Sequence, residues 1–221
     1  MAAQKVFIAV AGNIGTGKTT LTQMLATRFG WNPHYEEVAN NPYLSDFYAD
    51  MHRWSFPLQI FFLNNRFRAH QKISQGENSA IQDRTVYEDA NIFARNLHEQ
   101  GQMQPRDYEN YLGIYDVMTK LLSPPDLIVY LRKSLPRLKS QIARRGRDYE
   151  KNIPDSYLSN LNRFYDDWLA GYDHGPKLII DSDELDFVKC PEDFDLIANR
   201  VIDQLPQRDL FIGQSLSASR N

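Results

Sequence analysis

The segment from Gly12 to Thr20 combines glycines, a lysine and threonines in a pattern that can hold phosphate. Within it, Gly12, Gly17, Lys18 and Thr19 have the spacing G-x-x-x-x-G-K-[ST]. Backbone N–H groups of such a loop surround a phosphate, the lysine adds a positive charge, and the threonine hydroxyl is a ligand for Mg²⁺. An apolar run precedes the motif and a helical pattern follows it. The sequence therefore predicts a triphosphate site, with hydrolysis, switching and phosphoryl transfer all open.

An aspartate at the end of a strand would complement this loop. Two predicted strands end in one, at Asp83 and at Asp181. Asp83 is followed directly by Arg84, and such a pair at the carboxyl end of a strand can reach a metal ion and a phosphate from one loop. This favours Asp83 as the metal ligand. The alternative is that Asp83 only caps the helix that begins near Thr85.

Two adjacent carboxylates, Glu36 and Glu37, end the second strand-like run. Neighbouring strand residues face opposite ways, so only one of them can point into a shared crevice. There it could accept the proton of an attacking hydroxyl group, a step that phosphoryl transfer to an alcohol needs. A structural role is equally open on the sequence alone.

A predicted helix over residues 56–75 places Gln59, Leu63 and Arg66 on one stripe, because seven residues make nearly two turns. An ion pair between Arg66 and Asp89 could bridge this helix and the next, and present donors and acceptors to the edge of a nucleobase. A purely structural salt bridge is the favoured alternative from these residues alone, since buried charges are normally paired.

A cluster of basic residues, Arg144, Arg145 and Arg147, surrounds a glycine at the end of another predicted helix. Such residues often only complement the helix dipole. Three arginines on a turn are also what a lid needs to hold phosphates and to spread transition-state charge.

These candidate site residues lie near the ends of predicted strands and helices that alternate along the chain. Short runs rich in Val and Ile alternate with longer segments of helical period, which predicts parallel strands joined by helical crossovers. The predicted strands are residues 5–10, 34–38, 79–83, 126–131 and 177–181. The predicted helices are residues 17–28, 43–52, 56–75, 85–98, 106–122, 134–145, 154–170 and 191–204. The expected fold class is α/β, a doubly wound five-stranded parallel sheet with helices on both faces.

Composition narrows the possible partners. With 221 residues, 42% hydrophobic and 24% charged, the chain is expected to form one globular domain. A net charge of -3 disfavours a nucleic acid polymer as partner. Cys190 has no second cysteine to pair with, and no apolar run is long enough to span a membrane, so a cytoplasmic location is expected. The domain is predicted to cover residues 1–211, and residues 212–221 to form a flexible tail.

Five blocks in the same order closely resemble the deoxyribonucleoside kinase family, which includes kinases of deoxycytidine, deoxyguanosine and deoxyadenosine. The resemblance covers nearly the whole chain and implies the P-loop kinase fold with an arginine-rich lid. The blocks are GNIGTGKTT at 12–20, Glu36-Glu37-Val38, Tyr48 with Pro57-Leu58-Gln59, Asp83-Arg84-Thr85 with Asp89, and Arg145-Gly-Arg147-Asp-Tyr-Glu150. Three features depart from the family pattern. Glu37 replaces a proline, Asp83 replaces a glutamate, and Asn40 and Asn41 stand where the family often has an aromatic residue near the base.

The resemblance implies a role for each matching residue. Glu36 would be the general base for the 5′-hydroxyl, Arg84 would hold the phosphate and the base carboxylate, and Lys18, Arg145 and Arg147 would act on the ATP phosphates. Thr19 and Asp83 would hold Mg²⁺. The loop residues Gly12, Asn13, Ile14, Gly15, Thr16, Gly17, Lys18, Thr19 and Thr20 would bind ATP. Gln59, Arg66 and Asp89 would bind the nucleobase, and Tyr48 and Glu150 the sugar 3′-hydroxyl.

The family reading also implies a homodimer and a small-molecule deoxynucleoside substrate, with deoxyadenosine or deoxyguanosine favoured and deoxycytidine possible. Two alternative functions remain open. A nucleoside monophosphate kinase of the thymidylate type also carries an Asp-Arg pair after its third strand. A nucleotide-binding structural subunit that has lost catalysis would keep the phosphate loop but would not transfer the phosphoryl group.

Overall fold

The computed structural model describes residues 5–35, 41–147, 150 and 153–205. Five parallel strands form one sheet in the order β2-β3-β1-β4-β5. They are β1 (Phe7–Gly12), β2 (Asn32–His34), β3 (Ala80–Asp83), β4 (Leu127–Arg132) and β5 (Lys177–Asp181). β2 and β3 lie on one side of β1, whereas β4 and β5, which come later in the chain, lie on the other side. The order of the strands therefore reverses at β1, which is the topological switch point. The predicted α/β class is confirmed, and ligands in such sheets bind at this switch.

The central strand β1 shows why helices cover both faces. All six of its residues are buried. Ile8 and Val10 belong to one hydrophobic core, whereas Ala9 and Ala11 belong to another. Because successive side chains of a strand point to opposite faces, each face of the sheet must be covered by its own layer of helices.

The helices agree with the predicted pattern to within a few residues at most ends. They are α1 (Lys18–Phe29), α2 (Leu44–Ala49), α3 (Met51–Gln75), α4 (Val86–Glu88), α5 (Arg95–Glu99), α6 (Pro105–Thr119), α7 (Leu135–Arg145), α8 (Asp155–Gly171) and α9 (Pro191–Gln204). None of the helices within the described ranges has the length and apolar character that crossing a bilayer requires.

Three boundaries differ from the prediction. The helix predicted from residue 56 begins at Met51, because the Asp50 side chain accepts a hydrogen bond from the backbone N–H of Arg53 and caps it. β2 lies earlier than predicted, ending at His34. The helix predicted over 85–98 contains a π-helical stretch, Asp89–Ala94, between α4 and α5. Residues 206–221, with the predicted tail, lie outside the described residues.

Candidate active site

The phosphate loop leaves β1 through a glycine that no other residue can replace. Gly12 has a φ of 151°, and a Cβ there would lie 2.9 Å from the Leu131 carbonyl oxygen. Gly17, with a φ of 96°, directly precedes α1. The Lys18 Nζ donates a hydrogen bond to the Asn13 carbonyl oxygen at 2.8 Å, so the lysine lies folded across the loop. The N-terminus of α1 thus faces the loop with its positive end, as the motif predicts.

Thr19 and Asp83, the two predicted ligands of Mg²⁺, lie in contact. The Thr19 hydroxyl donates a hydrogen bond to Asp83 Oδ2 at 2.5 Å. Asp83 Oδ1 is buried and accepts no hydrogen bond from the residues that the structure describes. Mg²⁺ commonly takes only one or two protein oxygens and completes its shell with water and phosphate oxygens. This donor set therefore fits Mg²⁺ bound together with a nucleotide.

The alternative roles considered for the aspartates do not hold. The cap of α4 is formed by Thr85 and Glu88, which satisfy each other's backbone N–H groups, so Asp83 is not the cap. Asp181 is exposed and pairs with Arg132 Nε at 2.5 Å. In the described part of the chain, no group of three or more His, Cys, Asp or Glu side chains could hold a metal ion by itself.

Arg84 is held in an unfavourable backbone conformation. Its φ of 67° makes it the one residue other than glycine, within the described ranges, that has a positive φ. Its side chain is buried, donates to the Gly12 carbonyl oxygen at 3.3 Å, and lies over the Phe93 ring with 4.4 Å between the guanidinium carbon and the ring centre. Strain of about 1–3 kcal/mol persists only where the surroundings enforce it, commonly at functional sites.

A buried pair behind the loop, Glu88 and Tyr165, positions both Gly12 and Arg84. The Tyr165 hydroxyl lies 2.7 Å from the Gly12 carbonyl oxygen and 2.7 Å from Glu88 Oε1, which lies 3.7 Å from Arg84 Nε. One hydroxyl proton cannot serve two acceptors fully, so the Tyr165 hydroxyl is shared between the Gly12 carbonyl oxygen and the Glu88 carboxyl group. Burial raises the pKa of Glu88, while Arg84, Tyr165 and Lys18 oppose that shift.

Tyr165→Phe is expected to lower the free energy of unfolding by about 1–3 kcal/mol, because the Gly12 carbonyl oxygen and the Glu88 carboxyl group each lose a buried hydrogen bond. Urea denaturation followed by circular dichroism measures this loss. Tyr111→Phe is the matched control, since the Tyr111 hydroxyl is buried with no hydrogen-bond partner among the described residues. An equal loss in both variants would contradict the proposed network.

A cavity of about 280 Å³ lies beside the loop and collects most of the predicted site residues. The phosphate-handling residues that line it are Ile14, Gly15, Lys18, Thr19, Asp83, Arg84, Arg145 and Arg147. The residues predicted for the nucleoside that line it are Tyr48, Gln59, Arg66, Asp89 and Glu150. The tertiary structure therefore unites segments that are far apart in the sequence.

The far wall of this cavity carries polar groups suited to a nucleobase. Arg66 and Asp89 pair directly, through Arg66 Nη1 and Asp89 Oδ1, and both are almost fully buried. Gln59 Oε1 is buried without a hydrogen-bond partner in the described ranges. Phe62 lies under the Arg66 guanidinium, with 4.8 Å to its ring centre. The ion pair thus bridges the two helices, as its structural interpretation predicts, and it also lines the cavity.

The lid residues are paired with one another across the cavity mouth. Arg145 Nη2 donates to Glu150 Oε2 at 2.6 Å, and Arg147 Nη1 lies 3.5 Å from Glu150 Oε1. Glu150 is buried, whereas the two arginines are partly exposed. α7 places these arginines by ending at Gly146, which has the left-handed conformation of a helix C-cap.

A second cavity, of about 400 Å³, lies on the other side of the phosphate loop. Thr16, Gly17 and Thr20 form its loop wall, and residues 183–189 form the opposite wall. Seven of the nine predicted loop residues thus line one cavity or the other, and none lines both.

The sequence missed several groups that the structure brings to the site. Phe62 packs against the hydrophobic core and also lines the first cavity; its place three residues after Gln59 and four before Arg66 was the available signal. No motif or spacing in the sequence indicated Glu88 or Tyr165. Glu36 and Glu37, one of which was predicted as the base, lie outside the described residues.

Comparison with known proteins agrees with this site. The family model described as "Deoxynucleoside kinase" matches residues 8–206. The chain is 38% identical over 196 residues to the deoxyadenosine/deoxycytidine kinase of Bacillus subtilis (strain 168), covering 88% of this chain and 90% of that one. It is 35% identical over 216 residues to the deoxyguanosine kinase of Lactobacillus johnsonii, covering 92% and 94%.

Solved structures show the same likeness. A structure of deoxyadenosine kinase from M. mycoides with the products dCMP and a flexible dCDP bound superposes with a TM-score of 0.79 and 29% identity, covering 89% of this chain and 99% of that one. The same enzyme with bound dATP gives a TM-score of 0.78 and 30% identity. The matched length, the shared fold and the ordered motifs together establish that this chain belongs to the deoxynucleoside kinase family and is a kinase that phosphorylates deoxynucleosides.

Proposed function

We propose that this enzyme transfers the γ-phosphoryl group of ATP to the 5′-hydroxyl of a purine deoxynucleoside in nucleotide salvage. One observation carries the proposal. A single cavity is lined by Lys18 and Thr19 of the phosphate loop, by Gln59 and Arg66 of α3, and by Arg84. A donor phosphate and a neutral nucleoside can therefore meet in one enclosed site. Deoxycytidine is a weaker candidate acceptor.

The reaction requires a proton acceptor and charge stabilisation. The 5′-oxygen attacks the γ-phosphorus, its proton passes to the Glu36 carboxylate, and the bond to the β,γ-bridging oxygen breaks to leave ADP. Arg84 and Lys18, with Arg145 and Arg147 from the lid, stabilise the negative charge on the transferring group. Mg²⁺ held by Thr19 and Asp83 would neutralise charge on the phosphate oxygens when it is bound with the nucleotide.

The lid must rearrange for this role. Glu150 now accepts hydrogen bonds from Arg145, so binding of the sugar 3′-hydroxyl by Glu150 and Tyr48 would compete with that ion pair. Release of Arg145 would leave its guanidinium available to the phosphates. Acceptor binding and lid rearrangement are therefore coupled in the proposed mechanism.

The polar groups on the far wall favour bases that carry an exocyclic amine. A carboxylate only accepts hydrogen bonds when ionised, so Asp89 suits the amine of adenine, cytosine or guanine better than the O4 carbonyl of thymine. The amide of Gln59 can accept from an amine and donate to a neighbouring ring nitrogen. The names of the relatives, which are kinases of deoxyadenosine, deoxycytidine and deoxyguanosine, support this choice.

A panel of acceptors with ATP and Mg²⁺ tests the proposal. We expect 5′-monophosphate formation with the highest kcat/KM for deoxyadenosine or deoxyguanosine, less for deoxycytidine, and little for thymidine. Thymidylate should not react, because the cavity offers Tyr48 and Glu150 for a neutral sugar, and the Asp89 carboxylate does not suit thymine. Phosphorylation of thymidylate alone would support the monophosphate kinase instead. ATP binding without turnover of any acceptor would support a non-catalytic subunit.

We also propose that the enzyme is a cytoplasmic homodimer. The family resemblance supports the dimer, and Val117 is 63% exposed near the end of α6, where a second copy could cover it. The single cysteine supports a reducing compartment. Light scattering after size exclusion measures the mass directly.

A further inference from the structure

Lys133 is a buried lysine that no motif singled out. It directly follows β4 and is 6% exposed. Its carbonyl oxygen accepts a hydrogen bond from Asn162 Nδ2 at 2.9 Å, which fixes the backbone at this point. Its ammonium group forms no salt bridge within the described residues. Burial lowers the pKa of Lys133, with Arg137 and Arg144 adding to that shift and Asp183 and Asp186 opposing it.

The surroundings of Lys133 indicate what could pair with it. It lines the second cavity together with Thr16, Gly17 and Thr20 at the N-terminus of α1. That helix has twelve residues and no acidic side chain in its first turn, so its positive end also faces the cavity. Asp83, the carboxylate in contact with Thr19, lines the first cavity and not the second. Asp183, a carboxylate on the opposite wall of this cavity, accepts a hydrogen bond from the backbone N–H of Ser134 at 2.8 Å.

A nearly buried ammonium without a partner is unfavourable, because it gives up hydration and gains no compensating charge. Placing it beside the positive end of α1 adds repulsion. Both costs are relieved when an anion lies between the lysine and the loop. A phosphate is the anion that this loop is built to hold.

The two cavities offer places for different parts of the phosphate donor. Lys18, Thr19 and Arg84 line the first cavity, where the terminal phosphate must lie to reach the acceptor. Gly17 and Thr20 line the second, on the side away from the acceptor, where the remainder of the donor would lie. We propose that Lys133 binds the phosphate nearest the donor nucleoside, as a second phosphate-binding lysine beside Lys18. This proposal rests on the proposed use of a nucleoside triphosphate as donor.

Calorimetric titration of ADP and of adenosine into the full chain tests the proposal. In Lys133→Gln the affinity for ADP should fall about 10- to 100-fold, the loss expected for one hydrogen bond to a charged group. Affinity for adenosine and the KM for the deoxynucleoside should be unchanged, and the KM for ATP should rise more than kcat falls. Lys133→Arg should restore part of the ADP affinity. Lys139→Gln is the matched control, because Lys139 lies on α7, is exposed and pairs with Asp155.

Thermal unfolding without nucleotide separates binding from a structural role. Because Lys133→Gln removes a buried charge, it should be at least as stable as the unchanged protein. An unchanged affinity for ADP would overturn the proposal, and so would an equal loss for ADP and adenosine, which would place the ammonium at the base or ribose. If the unchanged protein binds ADP but phosphorylates no deoxynucleoside, the proposed function fails while the Lys133 comparison keeps its meaning.

Discussion

Arg84→Ala is expected to lower kcat about 10²- to 10³-fold, the loss typical of removing one preorganised group that stabilises transition-state charge. The buried guanidinium contacts the Gly12 carbonyl oxygen and the Phe93 ring, and it opens into the cavity beside Lys18 and Thr19. The Arg84 guanidinium is expected to stabilise the transition state and not the bound substrates, so kcat and kcat/KM should fall together. Steady-state kinetics with ATP and the best deoxynucleoside measures both.

The backbone at this position allows a test that separates catalysis from folding. Arg84→Gly removes the same side chain as Arg84→Ala but accommodates the φ of 67° without strain. The glycine variant should therefore resist urea better than the alanine variant by about 1 kcal/mol, while both lose kcat to the same extent. Arg106→Ala, at a side chain 87% exposed, should change neither property. Equal stability of the glycine and alanine variants would contradict the strain, and an unchanged kcat would contradict the catalytic role.

Glu36→Gln is expected to lower kcat about 10²- to 10⁴-fold, because it removes proton acceptance while keeping the shape of the side chain. The deoxynucleoside should still bind, so its dissociation constant should change only a few-fold. Single-turnover measurements with saturating ATP, together with equilibrium binding of the deoxynucleoside, give the two quantities separately.

The neighbouring glutamate is the matched control for that experiment. Glu37→Gln has the same change of charge one residue away, and it should keep kcat close to that of the unchanged enzyme. Loss in Glu37→Gln alone would move the base to Glu37. Full activity in both variants would remove the general-base role from this segment.

The local sequence was enough to predict a site where the residues that do the chemistry are contiguous. The loop from Gly12 to Thr20 brings its glycines, lysine and threonines within one turn between a strand and a helix, so the phosphate site follows from spacing alone. The alternation of apolar strands with helical segments likewise predicts the parallel sheet. Most helix ends agree because prolines, glycines and capping side chains act on their immediate neighbours.

Some local boundaries still escaped prediction. The start of α3 depends on whether Asp50 or the turn before Pro57 ends the preceding helix, and propensity does not decide between them. The spacing of the apolar residues does not indicate the π-helical stretch that begins at Asp89. It accompanies packing of this segment against α8 and α3, which are contributed by distant parts of the chain.

The sequence by itself thus determined the phosphate loop, the fold class and the helical faces of the candidate residues. Only the tertiary structure decided that Arg66 and Asp89 both pair and line the cavity, that Tyr165 contacts Gly12, and that Lys133 faces the loop. Periodicity tells on which face of its own element a side chain lies, but not which other element covers that face. Those contacts join residues far apart in the chain, and they exist only because the sheet and its two helical layers pack around one switch point.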